Sequence, residues 1–401
     1  MKVLQINSVC GFGSTGRIAT DIAATLIARG DDCRIAYGRE TAPEDFASLS
    51  VRIGSDLDCK LHGIKTRLFD RHGFGSKKAT RDFLKWVKQY DPDLIHLHNI
   101  HGYYIHLDLL FDYLKKSGKP VVWTLHDCWA ITGHCSHFSA VKCDQWKTGC
   151  KNCPQLREYP ATMFGGNVAR NYARKKQAFT GLSNMTIVTP SHWLASVVQD
   201  SFLGQYPVYP IYNGIDLNVF RPTAGNFRKK HHLENKKIVL GVANVWTNRK
   251  GLQDFAALAD LLDDSHQIVL VGLTHQQISE LPKKIIGITR TKSIHELAQI
   301  YTAADVYVNL SVEETMGMTT VEAMACGTPV VTYDATAVPE VVAPGCGKIV
   351  RAGDVEEIAS AVCEINKAAM TEACLQAAQA YEKEIKYQEY LTLYDKVKEG
   401  N

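Results

Sequence analysis

Two glutamates, Glu314 and Glu322, stand eight residues apart on either side of Gly317 in the stretch Ser311-Val312-Glu313-Glu314-Thr315-Met316-Gly317-Met318-Thr319-Thr320-Val321-Glu322-Ala323-Met324. An apolar run ends at Leu310, a Gly-containing turn follows, and a helical pattern opens. The first carboxylate therefore falls near a strand's carboxyl end and the second in the first turns of a helix. Carboxylates in those places bind hydroxyls, while the leading amides of the helix hold phosphate. That combination suits a sugar nucleotide.

A second phosphate-facing candidate is Gly11-Phe12-Gly13-Ser14-Thr15-Gly16, which fits G-x-G-x-x-G and is followed by Glu40. Three readings are open. It is a dinucleotide site, which would make the chain an NAD-dependent oxidoreductase; a merely structural turn; or a loop that brings backbone N–H groups to a phosphate without a dinucleotide, with Gly16 nearest the anion. Asn7 to Cys10 separate these glycines from the apolar strand, which counts against the first reading. Cys135, Cys143, Cys150 and Cys153, ending in C-x-x-C before Pro154, form a third group. Four thiolates suit structural Zn²⁺, but reduced packing cysteines and disulfide or iron–sulfur chemistry fit the irregular spacing as well.

These residues need elements to hold them. Val3-Leu4-Gln5-Ile6 reads as a buried strand, Ile18 to Arg29 as a helix and Arg34 to Tyr37 as a second strand, the opening of a Rossmann-like unit. Leu94 to His98, Pro120 to Leu125 and Met185 to Val188 extend a parallel sheet. The pattern restarts after Asn213-Gly214-Ile215-Asp216, with strands over Ile238 to Val242, Gln267 to Gly272, Ile285 to Ile288, Val306 to Leu310 and Thr328 to Thr332. Ala377 to Lys398 reads as an amphipathic helix with Tyr387, Tyr390, Leu391 and Tyr394 on one stripe. The fold class is therefore α/β, with two doubly wound domains in a chain of 401 residues. The expected limits are 1–205 with a Cys-rich insert at 128–154, 206–378, and a C-terminal helix over 379–401 that returns to the first domain.

Composition excludes disordered, collagenous and disulfide-scaffold classes, with 45% hydrophobic and 22% charged residues. A net charge of +3 argues against a nucleic-acid binder, yet residues 1–190 hold 26 Lys and Arg against 17 Asp and Glu. That basic half suits an anionic partner. From Lys60 to Lys88 basic residues alternate with Leu61, Ile64, Phe69, Phe83 and Trp86, a pattern that suits an amphipathic helix on anionic lipid. No signal-peptide core and no spanning helix are read, so the expected location is the cytoplasm, peripheral at the inner face of the cytoplasmic membrane.

The Glu314–Glu322 stretch resembles the E-x7-E signature of family 4 retaining glycosyltransferases with the GT-B fold. Asn213-Gly214-Ile215-Asp216, Gly241 to Gly251 and Thr124-Leu125-His126-Asp127 resemble further segments of that family, in order over nearly the whole chain. The resemblance implies two Rossmann-like domains facing a central cleft and a metal-independent, retaining transfer of a hexose, with no cofactor for catalysis. It implies that Glu314 contacts the donor sugar, Glu322 the ribose, and the amides of Gly317, Met318 and Thr319 the diphosphate. Arg249 and Lys250 would offset the leaving group's charge, with Arg249 standing in for an arginine that the family commonly has where this chain has Asn244. His126 would touch the donor sugar or the acceptor, His98 and His101 would line the acceptor side, and Thr289 and Arg290 would meet the base. Domain closure would bring Gly16 and His126 over the donor.

The Cys-containing segment resembles an insert in enzymes of exopolysaccharide and colanic-acid-type assembly. That implies a polyprenyl-diphosphate-linked saccharide as acceptor and a nucleoside diphosphate sugar as donor, with UDP preferred from the family's usage. A non-catalytic sugar-nucleotide sensor with the same fold is the remaining alternative.

Overall fold

The computed structural model describes residues 1–164 and 166–400. It divides into two compact units, one formed by Met1–Tyr212 with the chain from Lys386 onward, the other by Asn213–Ile385.

Unit 1 is built on seven parallel strands: Lys2–Asn7 (β1), Asp32–Tyr37 (β2), Ser50–Arg52 (β3), Leu94–Leu97 (β4), Val121–Thr124 (β5), Met185–Thr189 (β6) and Val208–Pro210 (β7). Their order is β3-β2-β1-β4-β5-β6-β7. The central strands read as near-continuous apolar runs because both faces of a parallel sheet are covered. Alternate residues feed two cores: Leu4, Ile95, Val121 and Trp123 point into one, Val3, Leu94 and Val122 into the other. The second core also takes Tyr387, Tyr390, Leu391 and Tyr394 from the final helix, Lys383–Glu399, so the chain does return to its first unit.

Unit 2 repeats the plan with Lys237–Val242 (β8), His266–Val271 (β9), Ile285–Ile288 (β10), Val306–Asn309 (β11), Val330–Tyr333 (β12) and Gly347–Val350 (β13), ordered β10-β9-β8-β11-β12-β13. Each sheet reverses its winding direction beside its first strand, between β1 and β4 and between β8 and β11. In open parallel sheets ligands bind outside the carboxyl ends of the strands at such a reversal. The Gly11–Gly16 loop follows β1 and His98 follows β4; Arg249 and Lys250 lie after β8, and Glu314 lies after β11. The two motif sets therefore sit at the topological switch points of their own sheets.

Four expectations change. Unit 1 runs to Tyr212 rather than 205, because β7 pairs with β6. The first helix (α1, Gly13–Ala28) starts inside the glycine loop instead of at Ile18. The basic stretch 60–88 is two helices, Asp56–Phe69 (α2) and Lys77–Tyr90 (α3), separated by a turn with Asp70 and Gly73 at positive φ. The last helix does not begin at Ala377: Lys367–Gln379 and Lys383–Glu399 are separate, because the Ile215 amide bonds Tyr381 O and the Lys383 amide bonds Ile215 O. Gly214 allows that approach, since a Cβ there would strike the Lys383 backbone.

Candidate active site

In unit 2 the loop after β8 and the loop after β11 are locked together. The Val312 amide donates to Arg249 O at 3.0 Å and Arg249 Nη1 donates to Glu313 O at 2.6 Å. Gly251 has φ +75°, and a Cβ there would run into Leu310, so only glycine lets the loops meet without strain. Lys250 Nζ pairs with Glu314 Oε1. Burial pushes the Glu314 carboxyl up, but Lys250 and then Arg249 outweigh it and hold the group below its ordinary value, so it is a carboxylate. Its amide donates to Thr336 Oγ1 at 2.9 Å.

Gly317, at φ +88°, caps the helix Met318–Ala325. Met318 and Thr319 occupy its first turn, where amides have no partner within the helix. Thr319 accepts at Oγ1 from Tyr307 OH at 2.7 Å, and Glu322 accepts at Oε2 from Tyr301 OH at 2.9 Å. One edge of the second sheet thus carries two carboxylates, a lysine and a helix N-terminus. Lys250 is the cation beside Glu314, while Arg249 is engaged in holding the Glu313 backbone. Thr289 and Arg290 follow β10, two strands away from β8 on the same edge.

In unit 1 four of the histidines, His96, His98, His101 and His126, divide by depth. His96 is buried and bonded to Thr124 Oγ1 at 2.8 Å and Tyr394 OH at 2.6 Å. That makes it part of the packing of the final helix. His98 is also buried, with Nε2 2.9 Å from Gln5 Oε1 and Nδ1 3.1 Å from His126 Nε2. It lies beneath His126 and supports it. His126 itself is half-buried; burial lowers its pKa to about 4, so its ring is neutral at physiological pH. His101 bridges Asp127 Oδ2 at 2.9 Å and Tyr159 OH at 3.0 Å. Asp127 is raised by burial but held at about 2, chiefly by His101, and accepts from the Trp129 amide at 2.8 Å. Tyr159–His101–Asp127 is a connected polar relay beside His126.

Gly16 is buried with its carbonyl bonded to the Gly11 amide at 3.2 Å, and a Cβ on it would lie 3.1 Å from Gly11 N. Glu40 lies three residues past β2, at φ 61°. The Cys135, Cys143, Cys150 and Cys153 thiols line one small cavity with His134 and Trp146. Cys135 and Cys153 hydrogen-bond each other, which raises Cys135 and lowers Cys153 to about 6. Among the described residues no group of three or more His, Cys, Asp or Glu is arranged to hold a metal ion. All twelve cysteines are free, so no disulfide closes the insert.

Residues 15–219 match the family described as Glycosyltransferase Family 4, and residues 236–367 match Glycosyl transferases group 1. The chain belongs to the family 4 glycosyltransferases. Family 4 membership decides against the oxidoreductase reading of the glycine loop. This family 4 chain is 27% identical, over 54% of its own length and 55% of the relative's, to the protein named for colanic acid biosynthesis, glycosyl transferase WcaC of Escherichia coli K12. It is 28% identical to the N,N'-diacetylbacillosaminyl-diphospho-undecaprenol alpha-1,3-N-acetylgalactosaminyltransferase of Campylobacter jejuni, over 46% of the chain and 53% of that protein. The chain spans about half the length of these curated relatives.

Among solved structures it resembles sucrose-phosphate synthase from Thermosynechococcus elongatus, with TM-score 0.72, 17% identity and 100% of both chains covered. It also resembles Anabaena Alr3699/HepE in complex with UDP, with TM-score 0.68, 17% identity and 99% and 100% covered. The two Rossmann-like units of this family 4 chain are those of the GT-B fold.

Sequence reading missed Tyr301, Tyr307 and Thr336 as supports of the glutamate loop. No periodicity marks them, because the sheet brings them in from outside the motif. Asp127 was in plain view beside His126, and an acid next to a histidine-rich segment is the signal for its pairing with His101.

Proposed function

We propose that the protein transfers a hexose from a UDP-sugar to a lipid-linked saccharide in polysaccharide assembly, with retention at the anomeric carbon and without a metal ion. The observation that carries this reading is the Lys250–Glu314 pair beside the capped N-terminus of Met318–Ala325. A nucleotide diphosphate needs fixed positive potential and a sugar needs hydroxyl acceptors; here both stand on one sheet edge, with no need of a divalent cation. The undecaprenol-linked substrate for which the Campylobacter jejuni relative is named, and the UDP held by the Anabaena protein in its complex, support the acceptor and donor classes.

Glu314 accepts hydrogen bonds from the sugar hydroxyls and Glu322 from the ribose. The amides of Gly317, Met318 and Thr319, with Lys250, stabilise the diphosphate as the bond from its oxygen to the anomeric carbon breaks and the electron pair stays on that oxygen. The acceptor oxygen bonds the same face of the carbon and its proton passes to the departing diphosphate. His126 and Gly16, from unit 1, are assigned to substrate positioning and phosphate contact.

The test is release of nucleoside diphosphate from a panel of UDP- and GDP-sugars, in the presence of a chelator, with an undecaprenyl-diphosphate-linked saccharide as acceptor. Acceptor-dependent release of UDP supports the reading. Donor binding without any acceptor-dependent release makes the protein a sensor, and stabilisation by NAD alone overturns the assignment.

A further inference from the structure

Helix α2 has its apolar stripe on the wrong side for a surface helix. Such helices turn apolar residues to the core, yet the inward positions of α2 are His62 and Thr66. His62 accepts from the Gly73 and Gly75 amides at 3.2 and 3.1 Å, and Thr66 donates to His62 O at 3.0 Å. The outward stripe is Leu57, Leu61 and Ile64, exposed by 64%, 49% and 53%, spaced i, i+4, i+7 on one side of the helix. Lys60 and Arg67 flank it on one side and Lys65 on the other, all exposed.

The stripe continues beyond the helix. Phe69 is exposed at its end, and the Met163 amide donates to Arg67 O at 2.7 Å, which fixes exposed Met163 and Phe164 beside it. Thr162 Oγ1 donates to the same carbonyl at 3.1 Å and Asn167 Nδ2 to Phe69 O at 2.6 Å, so this loop is tied to the helix end at several points. Between Cys59 and Arg81 the one acid is Asp70, which is buried against His134. In α3, by contrast, Phe83 and Val87 are buried, so the interfacial character of the basic stretch belongs to α2.

We propose that α2 and the Met163–Phe164 segment form a docking face for an anionic phospholipid bilayer, with the apolar ridge entering the acyl boundary and Lys60, Lys65, Arg67 and Arg71 meeting the headgroups. An apolar ridge with basic flanks, whose one fully exposed acid, Asp56, stands at the first residue of the helix and is paired with Arg52, is the chemistry of an interfacial helix. A second copy docked on the same face by two-fold symmetry would set like charges against each other. The inference rests on this surface alone and does not depend on the transferase reading.

Co-sedimentation with phosphatidylcholine vesicles, with and without phosphatidylglycerol, tests it on the full chain. Binding to the phosphatidylglycerol vesicles is expected, weakened by high salt, and about tenfold or more weaker in Leu61→Glu/Ile64→Glu, in Lys60→Glu/Lys65→Glu and in Met163→Ser/Phe164→Ser. The loop variant changes exposed side chains outside any helix, and a cooperative thermal unfolding transition like the parent's, followed by circular dichroism, reports that each variant is folded. Unchanged binding in folded variants, no preference for phosphatidylglycerol, or a dimer that Leu61→Glu/Ile64→Glu converts to monomer without vesicle binding overturns the proposal. Vesicle binding with no turnover of any donor would leave this surface standing and remove the transferase reading.

Discussion

His98 Nδ1 and His126 Nε2 lie 3.1 Å apart, and the hydrogen between them belongs to His126. Gln5 Nε2 donates to Ala19 O at 2.9 Å, which leaves Oε1 to accept from His98 Nε2 at 2.9 Å. Burial holds the His98 pKa well below its usual value, so a ring that carries hydrogen on Nε2 accepts on Nδ1. His126 then donates from Nε2 and presents Nδ1 as its accepting nitrogen. The chain from Ala19 through Gln5 and His98 thus fixes the orientation and tautomer of His126.

Replacing His98 with Asn is therefore expected to release the His126 ring and to leave the proposed donor contacts of unit 2 unchanged. Loss of about 1.4 kcal/mol of hydrogen-bonded orientation corresponds to about a tenfold fall in kcat. Steady-state kinetics with varied donor should show its KM within about twofold of the parent. A larger rise in donor KM than fall in kcat would remove His98 from this positioning role.

Unit 1 should lose stability steeply on acidification. His62, His72, His96, His98, His106 and His126 all have pKa values lowered, in each case chiefly by burial, and for His62, His106 and His126 to about 4. The unfolded chain binds these protons near pH 6.5 and the folded chain does not, so their stabilising effect is complete above pH 6.5 and is lost as pH falls toward 4. Each histidine contributes a slope of up to about 1.4 kcal/mol per pH unit in that window. Denaturant unfolding at pH 7.5 and pH 5 should show a marked drop in midpoint, and equal midpoints would mean that these rings are protonated in the folded state.

Lys250→Met leaves Glu314 in a buried site without its closest cation. The carboxylate is favoured by Lys250 against the cost of burial, so its pKa should rise and the acid limb of activity should move up by about one pH unit or more. In the parent the ionised form persists below pH 4.5, and the stability tied to it is lost only as pH falls through the lowered value. Transfer at pH 7.5 should fall by about 10²-fold with loss of leaving-group stabilisation. Glu314→Gln should abolish transfer with the fold intact, because an amide keeps the shape and loses the charge. Undiminished turnover in either variant would take the pair out of the mechanism.

The strands that were legible in the sequence are those that lie inside the sheets, where burial on both faces writes an apolar run such as Val306-Tyr307-Val308. Ser50–Arg52, Val208–Pro210 and Gly347–Val350 were not, since short strands that are only partly buried carry no such run. The break at Ala380 to Glu382 escaped because helical periodicity is local, while its cause is a pair of hydrogen bonds from Ile215. The glutamate motif was legible because strand, turn and helix are contiguous in the chain. His98 was read as facing an acceptor, and only the pairing of β1 with β4, which sets Gln5 beside His96 and below His98, reveals it as a support.

Tyr301 tests how far the glutamate site depends on residues outside its own motif. Its ring is buried, and its hydroxyl donates to Glu322 Oε2 at 2.9 Å. A neutral donor on a carboxylate helps fix the carboxylate's rotamer without cancelling its charge, which suits the ribose contact proposed for Glu322. Tyr301→Phe removes one hydroxyl and little volume, and the ring keeps its packing against Phe220 and Tyr307. Donor KM and UDP affinity should weaken about five- to tenfold, in line with the loss of one hydrogen bond worth about 1 kcal/mol. Because the ribose is remote from the bond that breaks, kcat should stay within about twofold. A fall in kcat at constant KM would instead place Glu322 with the reacting sugar, and reverse the assignment of the two glutamates.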